Sequence, residues 1–140
     1  MCHTLQKLEG LRLLVVDDDP DALELLTILF SGDGAEIIAA ASALEALEAL
    51  SCFQPDMLIS DISLPDEDGY SLLQKVRNLD ASCGGQIPAI ALTAHAMEED
   101  RTRALSAGFD RHLSKPFDLD ELTSVVKSLA CQTEVRLTGD

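Results

Sequence analysis

Apolar residues in this chain come in two textures: short unbroken runs, and stripes at helical spacing. Leu11-Arg12-Leu13-Leu14-Val15-Val16 is nearly all apolar, the pattern of a strand covered on both faces. It runs into Asp17-Asp18-Asp19-Pro20, where Asp19 is placed to cap a helix and Pro20 to open its first turn. Ala22, Leu25, Leu26 and Leu29 then follow at helical spacing until Gly32 and Gly34 interrupt them. The same unit recurs. Ala35 to Ala41, with Ile37 and Ile38, predicts a second strand, and Ser42 with Glu45 forms a capping-box pattern ahead of an Ala43, Ala46, Leu47 and Leu50 stripe. Met57-Leu58-Ile59 predicts a short buried strand after Pro55, delivering Asp61 to its exit before a loop punctuated by Pro65 and Gly69.

From Gly69 onward, Leu72, Leu73, Val76 and Leu79 predict a third helix, running out towards Cys83-Gly84-Gly85. Pro88-Ala89-Ile90-Ala91-Leu92 predicts a fourth buried strand, closed by Thr93-Ala94-His95. Met97 to Ala107 has few large apolar residues, so a loosely packed helix is expected there, with Gly108 as its C-cap. Arg111-His112-Leu113-Ser114-Lys115 predicts a fifth strand before Pro116, and a last helix starts at Asp118 with Leu119, Leu122, Val125, Val126 and Leu129. Residues 1–10 are expected to be a lead-in, 11–130 one domain, and 131–140 a polar, frayed tail. Alternation of five strands and five helices without hairpin signals implies an α/β, doubly wound parallel sheet with helices on both faces.

Composition narrows the class. The 140 residues suit one domain with a proper core, and 46% apolar content fits a globular chain. A formal charge of -15 argues against direct contact with nucleic acid or an anionic membrane, both of which need a basic face. Cys2, Cys52, Cys83 and Cys131 form no metal-binding spacing and read as small apolar side chains in a reducing compartment. Without a signal-peptide pattern or a run of about 18 apolar residues, a cytoplasmic location is expected.

In a parallel sheet the carboxyl ends of all strands share one edge, where ligands collect. Asp17, Asp18, Asp61, Thr93 and Lys115, distant in sequence, are therefore expected to converge. Three carboxylates brought together repel unless a cation relieves them, and oxygen ligands in that number suit a hard divalent ion such as Mg²⁺. Asp61 is then placed to act as a nucleophile on phosphorus, giving an acyl phosphate. The metal, the Lys115 ammonium and the Thr93 hydroxyl would neutralise the phosphoryl charge from different sides.

Four segments carry a family resemblance. Val15-Val16-Asp17-Asp18-Asp19-Pro20, Asp61-Ile62-Ser63-Leu64-Pro65-Asp66-Glu67-Asp68-Gly69, Ala91-Leu92-Thr93-Ala94 and Leu113-Ser114-Lys115-Pro116-Phe117 resemble, in order, the motifs of response-regulator receiver domains of two-component signalling. The resemblance spans about residues 11 to 130 and implies the flavodoxin-like (CheY-like) strand order 2-1-3-4-5. It implies that Asp61 is the phosphate acceptor, and that Asp18 and Asp61 ligate Mg²⁺ (or Mn²⁺) with the Ser63 backbone carbonyl, Asp17 acting through water. Thr93 and Lys115 would contact the phosphoryl group, and the Lys115-Pro116 bond would be cis. The implied partners are a histidine kinase or histidine phosphotransfer protein, and a downstream protein meeting the 97–129 face. Such a chain catalyses only its own phosphorylation and dephosphorylation, and no output domain fits in the remaining residues. Where the family commonly has an aromatic switch residue, three before the lysine, this chain has His112, as in a subset that includes receivers of hybrid histidine kinases. Ser63 and His95 occupy positions that tune acyl-phosphate lifetime in the family.

Plainer readings compete with each of these. Asp17-Asp18-Asp19 alone is more often a solvated turn and helix cap, a lone Thr93 a strand-end hydroxyl, and a lone Lys115 a surface charge. The set as a whole shifts the balance to a phosphoryl site. Two other classes stay open. Asp17 and Asp19 fit the D-x-D motif of haloacid-dehalogenase-type phosphohydrolases, although Asp21 stands where that family prefers Thr or Val. A docking module that keeps the fold without phosphorylation is the second.

Overall fold

The computed structural model describes residues 10–79, 86–93, 98–114 and 118–138, with side chains described throughout these except at 98, 100 and 131–138. Strand β1 (Arg12–Val16) is followed by α1 (Pro20–Gly32), β2 (Glu36–Ala40), α2 (Ala43–Phe53), β3 (Met57–Asp61) and α3 (Gly69–Arg77). Then come β4 (Ala89–Thr93), α4 (Glu98–Ala107), β5 (Arg111–Ser114) and α5 (Leu119–Thr138). All strand pairs are parallel, and the order across the sheet is β2-β1-β3-β4-β5. This is the doubly wound order expected, and it puts β3 at the centre with every residue buried.

Continuous apolar runs become central strands because each face of the sheet meets its own helical layer. Leu13, Val15, Met57, Ile59, Ile90 and Leu92 pack with Leu26, Phe30, Leu122, Val126 and Leu129 of α1 and α5. Leu14, Val16, Leu58, Ala89 and Ala91 point the other way, against Ala43, Ala46, Leu50, Leu72, Leu73, Val76 and Ala104 of α2, α3 and α4. Fully burying a side chain such as Phe30 stabilises by roughly 1.5–3 kcal/mol, before cavity effects.

Several local expectations hold. Asp19 caps α1 with Pro20 in the first turn, and Ser42 caps α2 with Glu45 accepting from Ala41 N–H at 2.9 Å. Gly108, at φ +115°, ends α4 as a C-cap in the left-handed region that glycine favours. Among the described side chains of α4, Ala104 is the buried one, so this helix is held by few apolar contacts. Other ties reach it: the Arg103 guanidinium lies 4.2 Å from the Tyr70 ring centroid, and Tyr70 meets Phe109 edge to face. At the opposite edge of the sheet from the strand exits, Arg77 donates to the Ile87 carbonyl at 2.6 Å and the Gly108 carbonyl at 3.0 Å. Burial lowers the pKa of that guanidinium, and the nearby Asp110 charge opposes the shift.

Three details differ from the sequence expectation. In α1 the buried pair is Leu26 and Phe30, while Leu25 is 47% exposed, because the stripe is rotated so that Phe30 fills the core. Helix α3 ends at Arg77, which leaves Leu79 at the surface. Helix α5 continues to Thr138, through the segment expected as a frayed tail. Gln132, Glu134, Arg136 and Leu137 are good helix formers, and no glycine interrupts them before Gly139. Of the four cysteines, Cys52 is free and exposed; Cys2 and Cys83 lie outside the described residues, and the side chain of Cys131 is not described.

Candidate functional site

The carboxyl edge of the sheet is built by three strand exits. After β1 the chain turns: Asp17 N–H donates to the Ala40 carbonyl at 3.0 Å, and Asp17 Oδ1 accepts from Asp19 N–H at 3.0 Å. Asp19 then uses its own Oδ1 on Asp21 N–H, the capping bond of α1. The three consecutive acids therefore divide their work. Asp17 is fully buried, Asp18 is exposed, and Asp19 belongs to the helix cap.

Asp61 ends β3, with 6% of its surface exposed. Its Oδ1 accepts from Ser63 N–H at 3.1 Å, which curls the loop back over the carboxylate. Ile62 N–H donates to the Leu92 carbonyl at 2.9 Å, fixing the loop's start to β4. Carboxylate oxygens of Asp17, Asp18 and Asp61 all lie within 4.8 Å of one another, close enough to share one cation. The donor set fits a hard ion: all oxygen, two acids nearly or fully buried and one open to solvent.

Thr93 ends β4 and is 2% exposed. Asp61 pairs in register with Leu92, so Thr93 stands one residue beyond it on the adjacent strand. Thr93 in turn pairs with Ser114, the last residue of β5. The sheet thus brings Asp17, Asp18, Asp61 and Thr93 to one edge, with Ser114 at the end of β5 beside Thr93. Lys115, the Lys115-Pro116 bond and His95 lie outside the described residues. His112 is half-buried and pairs with Ala91, two residues back from the edge, on the α2, α3 and α4 side of the sheet.

One residue of the loop has contacts that sequence spacing did not reveal. Asp66 Oδ1 accepts from Ala43 N–H and Oδ2 from Leu44 N–H, each at 3.0 Å, and Oδ1 also accepts from Glu67 N–H at 3.1 Å. These bonds hold its carboxyl below the usual range, the Ala43 bond foremost. Its partners are 22 and 23 residues upstream, so no local pattern signals them. Further along, Glu67 pairs with Lys75 at 2.7 Å, and Asp68 caps α3 through Ser71 N–H. An open groove of about 470 Å³ between α3 and α4, lined by Tyr70, Ser71, Gln74 and Arg103 among others, shares no residue with the acidic cluster.

Known proteins of the same build are numerous. The uncharacterised 14.6 kDa protein in the sodA1 3′ region of Leptolyngbya boryana is 45% identical over 123 residues, which cover 88% of this chain and 92% of that protein. The response regulator Rre1 of Synechocystis sp. is 39% identical over 127 residues, 90% of this chain but 54% of that protein, so the chain spans about half its length. Among solved structures, a two-component response regulator from Clostridium difficile superposes with a TM-score of 0.81 at 27% identity, covering 89% of this chain and 98% of that one. No helix among the described residues is long and apolar enough to cross a membrane. Since the model of the response regulator receiver domain matches residues 13–127, most of the chain, the chain belongs to that family of two-component signalling domains.

Proposed function

We propose that this chain is a phosphoryl-accepting switch in which Asp61 takes a phosphoryl group from a phosphohistidine on a histidine kinase or histidine phosphotransfer protein. The observation that carries the reading is the cluster of Asp17, Asp18 and Asp61 at the exits of β1 and β3, with Thr93 buried on the adjoining strand end. Asp18, Asp61 and the Ser63 backbone carbonyl would hold Mg²⁺ or Mn²⁺, with Asp17 acting through water. A bound divalent ion supplies neutralising charge to the phosphoryl oxygens.

In the transfer, an Asp61 carboxylate oxygen attacks phosphorus as the bond from phosphorus to the donor imidazole nitrogen breaks. The electron pair returns to that nitrogen, and the new bond makes Asp61 an acyl phosphate. Burial of Asp61 keeps competing water few, and the Ser63 N–H on Oδ1 orients the carboxylate. The Thr93 hydroxyl and Lys115 ammonium neutralise charge on the transferred group. Return to the ground state is attack of water on phosphorus, releasing phosphate and the carboxylate. The added charge of about -1.5 to -2 draws Thr93 inward, and His112 and the sparsely packed α4 change position to alter the 97–129 face that a downstream protein meets. The acidic surface, with a net charge of -15, makes direct contact with nucleic acid or membrane no part of this function.

The test is intact mass after incubation with acetyl phosphate, with and without Mg²⁺, on the native chain and on Asp61→Asn. A metal-dependent phosphoryl adduct that disappears in Asp61→Asn is expected. An adduct that survives the substitution would move the chemistry to Asp17 and a phosphohydrolase; no adduct and no Mg²⁺ binding would leave a docking module.

A further inference from the structure

The acceptor loop and the acidic turn are fastened to the same short stretch of chain, residues 40–44. Asp17 N–H donates to the Ala40 carbonyl at 3.0 Å, which ties the acidic turn to the end of β2. Three and four residues later, Ala43 N–H and Leu44 N–H both donate to the carboxylate of Asp66, which lies in the middle of the loop after Asp61. The acidic turn and the acceptor loop thus both bond to residues 40–44, in addition to the direct pairing of β1 with β3.

Helix α2 does not need these bonds for its own start. Ser42 Oγ already accepts from Glu45 N–H at 3.2 Å, and Glu45 Oε1 accepts from Ala41 N–H. Both N–H groups sit in the first turn; that of Leu44, which is 62% exposed, is open to water, whereas Ala43 is buried and relies on Asp66 for its partner. The loop has more to gain. Its base is closed by the Gly69 N–H to the Ile62 carbonyl at 2.7 Å, Leu64 packs on the core face that includes Ala43, and Glu67 pairs with Lys75; Pro65 and Asp66 are exposed, and Asp66 supplies the hydrogen bonds from this outer part to α2.

We propose that Asp66 is a positioning residue that clasps the acceptor loop to the first turn of α2 and so sets the spacing of the acidic cluster for its divalent cation. The inference rests on the metal-binding reading given above. Asp66 touches neither metal nor phosphoryl group; it acts through the loop that carries Ser63 and covers Asp61. A substitution that releases the clasp loosens residues 63–67 while the sheet and α2 persist, and the cation then meets ligands that are no longer held at one spacing.

The experiment uses the full chain and three variants, Asp66→Ala, Asp66→Asn and Ser42→Ala, well below their melting temperatures. Mg²⁺ is titrated by isothermal calorimetry, and amide exchange is followed across 62–68. Asp66→Ala is expected to raise the Mg²⁺ dissociation constant about tenfold, the lower end of what supporting residues around metal sites contribute, and to speed exchange at 63–67. Asp66→Asn, whose amide oxygen keeps one of the two α2 bonds, falls between. Ser42→Ala lowers the melting temperature by removing the local cap but leaves Mg²⁺ affinity at the native value. The proposal is overturned if Asp66→Ala lowers the melting temperature as Ser42→Ala does and leaves both Mg²⁺ affinity and loop exchange unchanged. Should the native chain bind no Mg²⁺, the functional reading fails instead, and exchange at 63–67 alone decides whether Asp66 is the clasp.

Discussion

Gly69 lies directly against the backbone of Asp61: a Cβ added at Gly69 would stand 2.7 Å from the Asp61 carbonyl oxygen and 2.9 Å from Ile62 Cα. Both neighbours are main chain, so neither can swing aside. The first residue of α3 is in this way packed onto the strand end that presents the acceptor carboxylate. Gly69→Ala is expected to cost about 1–3 kcal/mol of stability through overpacking and to displace Asp61 from its register with Leu92. Urea denaturation gives the stability change, and amide chemical shifts of Asp61 and Ile62 report the displacement. A variant with native stability and unmoved shifts would contradict the contact.

The rotated stripe of α1 makes a sharp comparison between two adjacent leucines. Leu26 is fully buried among Leu13, Val15 and Phe30, whereas Leu25 faces solvent. Leu26→Ala is expected to destabilise by about 2–5 kcal/mol, the cost of lost transfer energy plus a cavity. Leu25→Ala should stay within about 0.5 kcal/mol of native. Paired denaturant unfolding curves check this, and equal losses for the two would mean that the helix is rotated from its described orientation.

Asp66 also predicts a dependence on pH. Its carboxyl is held below the usual value near 3.8 first by the Ala43 N–H, with Leu44 and Glu67 adding, against an opposing desolvation cost. A group whose folded pKa is depressed stabilises the fold fully above its unfolded pKa, and that contribution fades as pH falls through the folded value. The melting-temperature gap between the native chain and Asp66→Asn should therefore be constant from pH 7 to about pH 5 and narrow as pH falls below about 4. Thermal melts across that range measure it; a gap that widens on acidification would refute the assignment.

Much of the fold was legible because its signals are local. Unbroken runs such as Leu13 to Val16 and Met57 to Ile59 announce strands buried on both faces, and Asp19, Ser42 and Gly108 mark helix ends through bonds to backbone only a few residues away. Parallel strands then oblige Asp17, Asp18, Asp61 and Thr93 to share an edge, so the convergence follows from element order alone.

What sequence alone determined is thus the order of elements, the edge at which the acids meet, and the family to which the motifs belong. The tertiary structure decided which way each helix turns its stripe, as when Phe30 rather than Leu25 fills the core, because rotation about the axis depends on the shape of the opposing sheet. It also decided that Asp17 is fully buried while its neighbour Asp18 stays exposed, although both join Asp61, a difference that identical side chains in a row do not reveal. The bonds of Asp66 to Ala43 and Leu44 belong to the same class. They join a loop to a helix start that is remote along the chain, and only the packing of α2 beside the exit of β3 brings donor and acceptor within 3.0 Å.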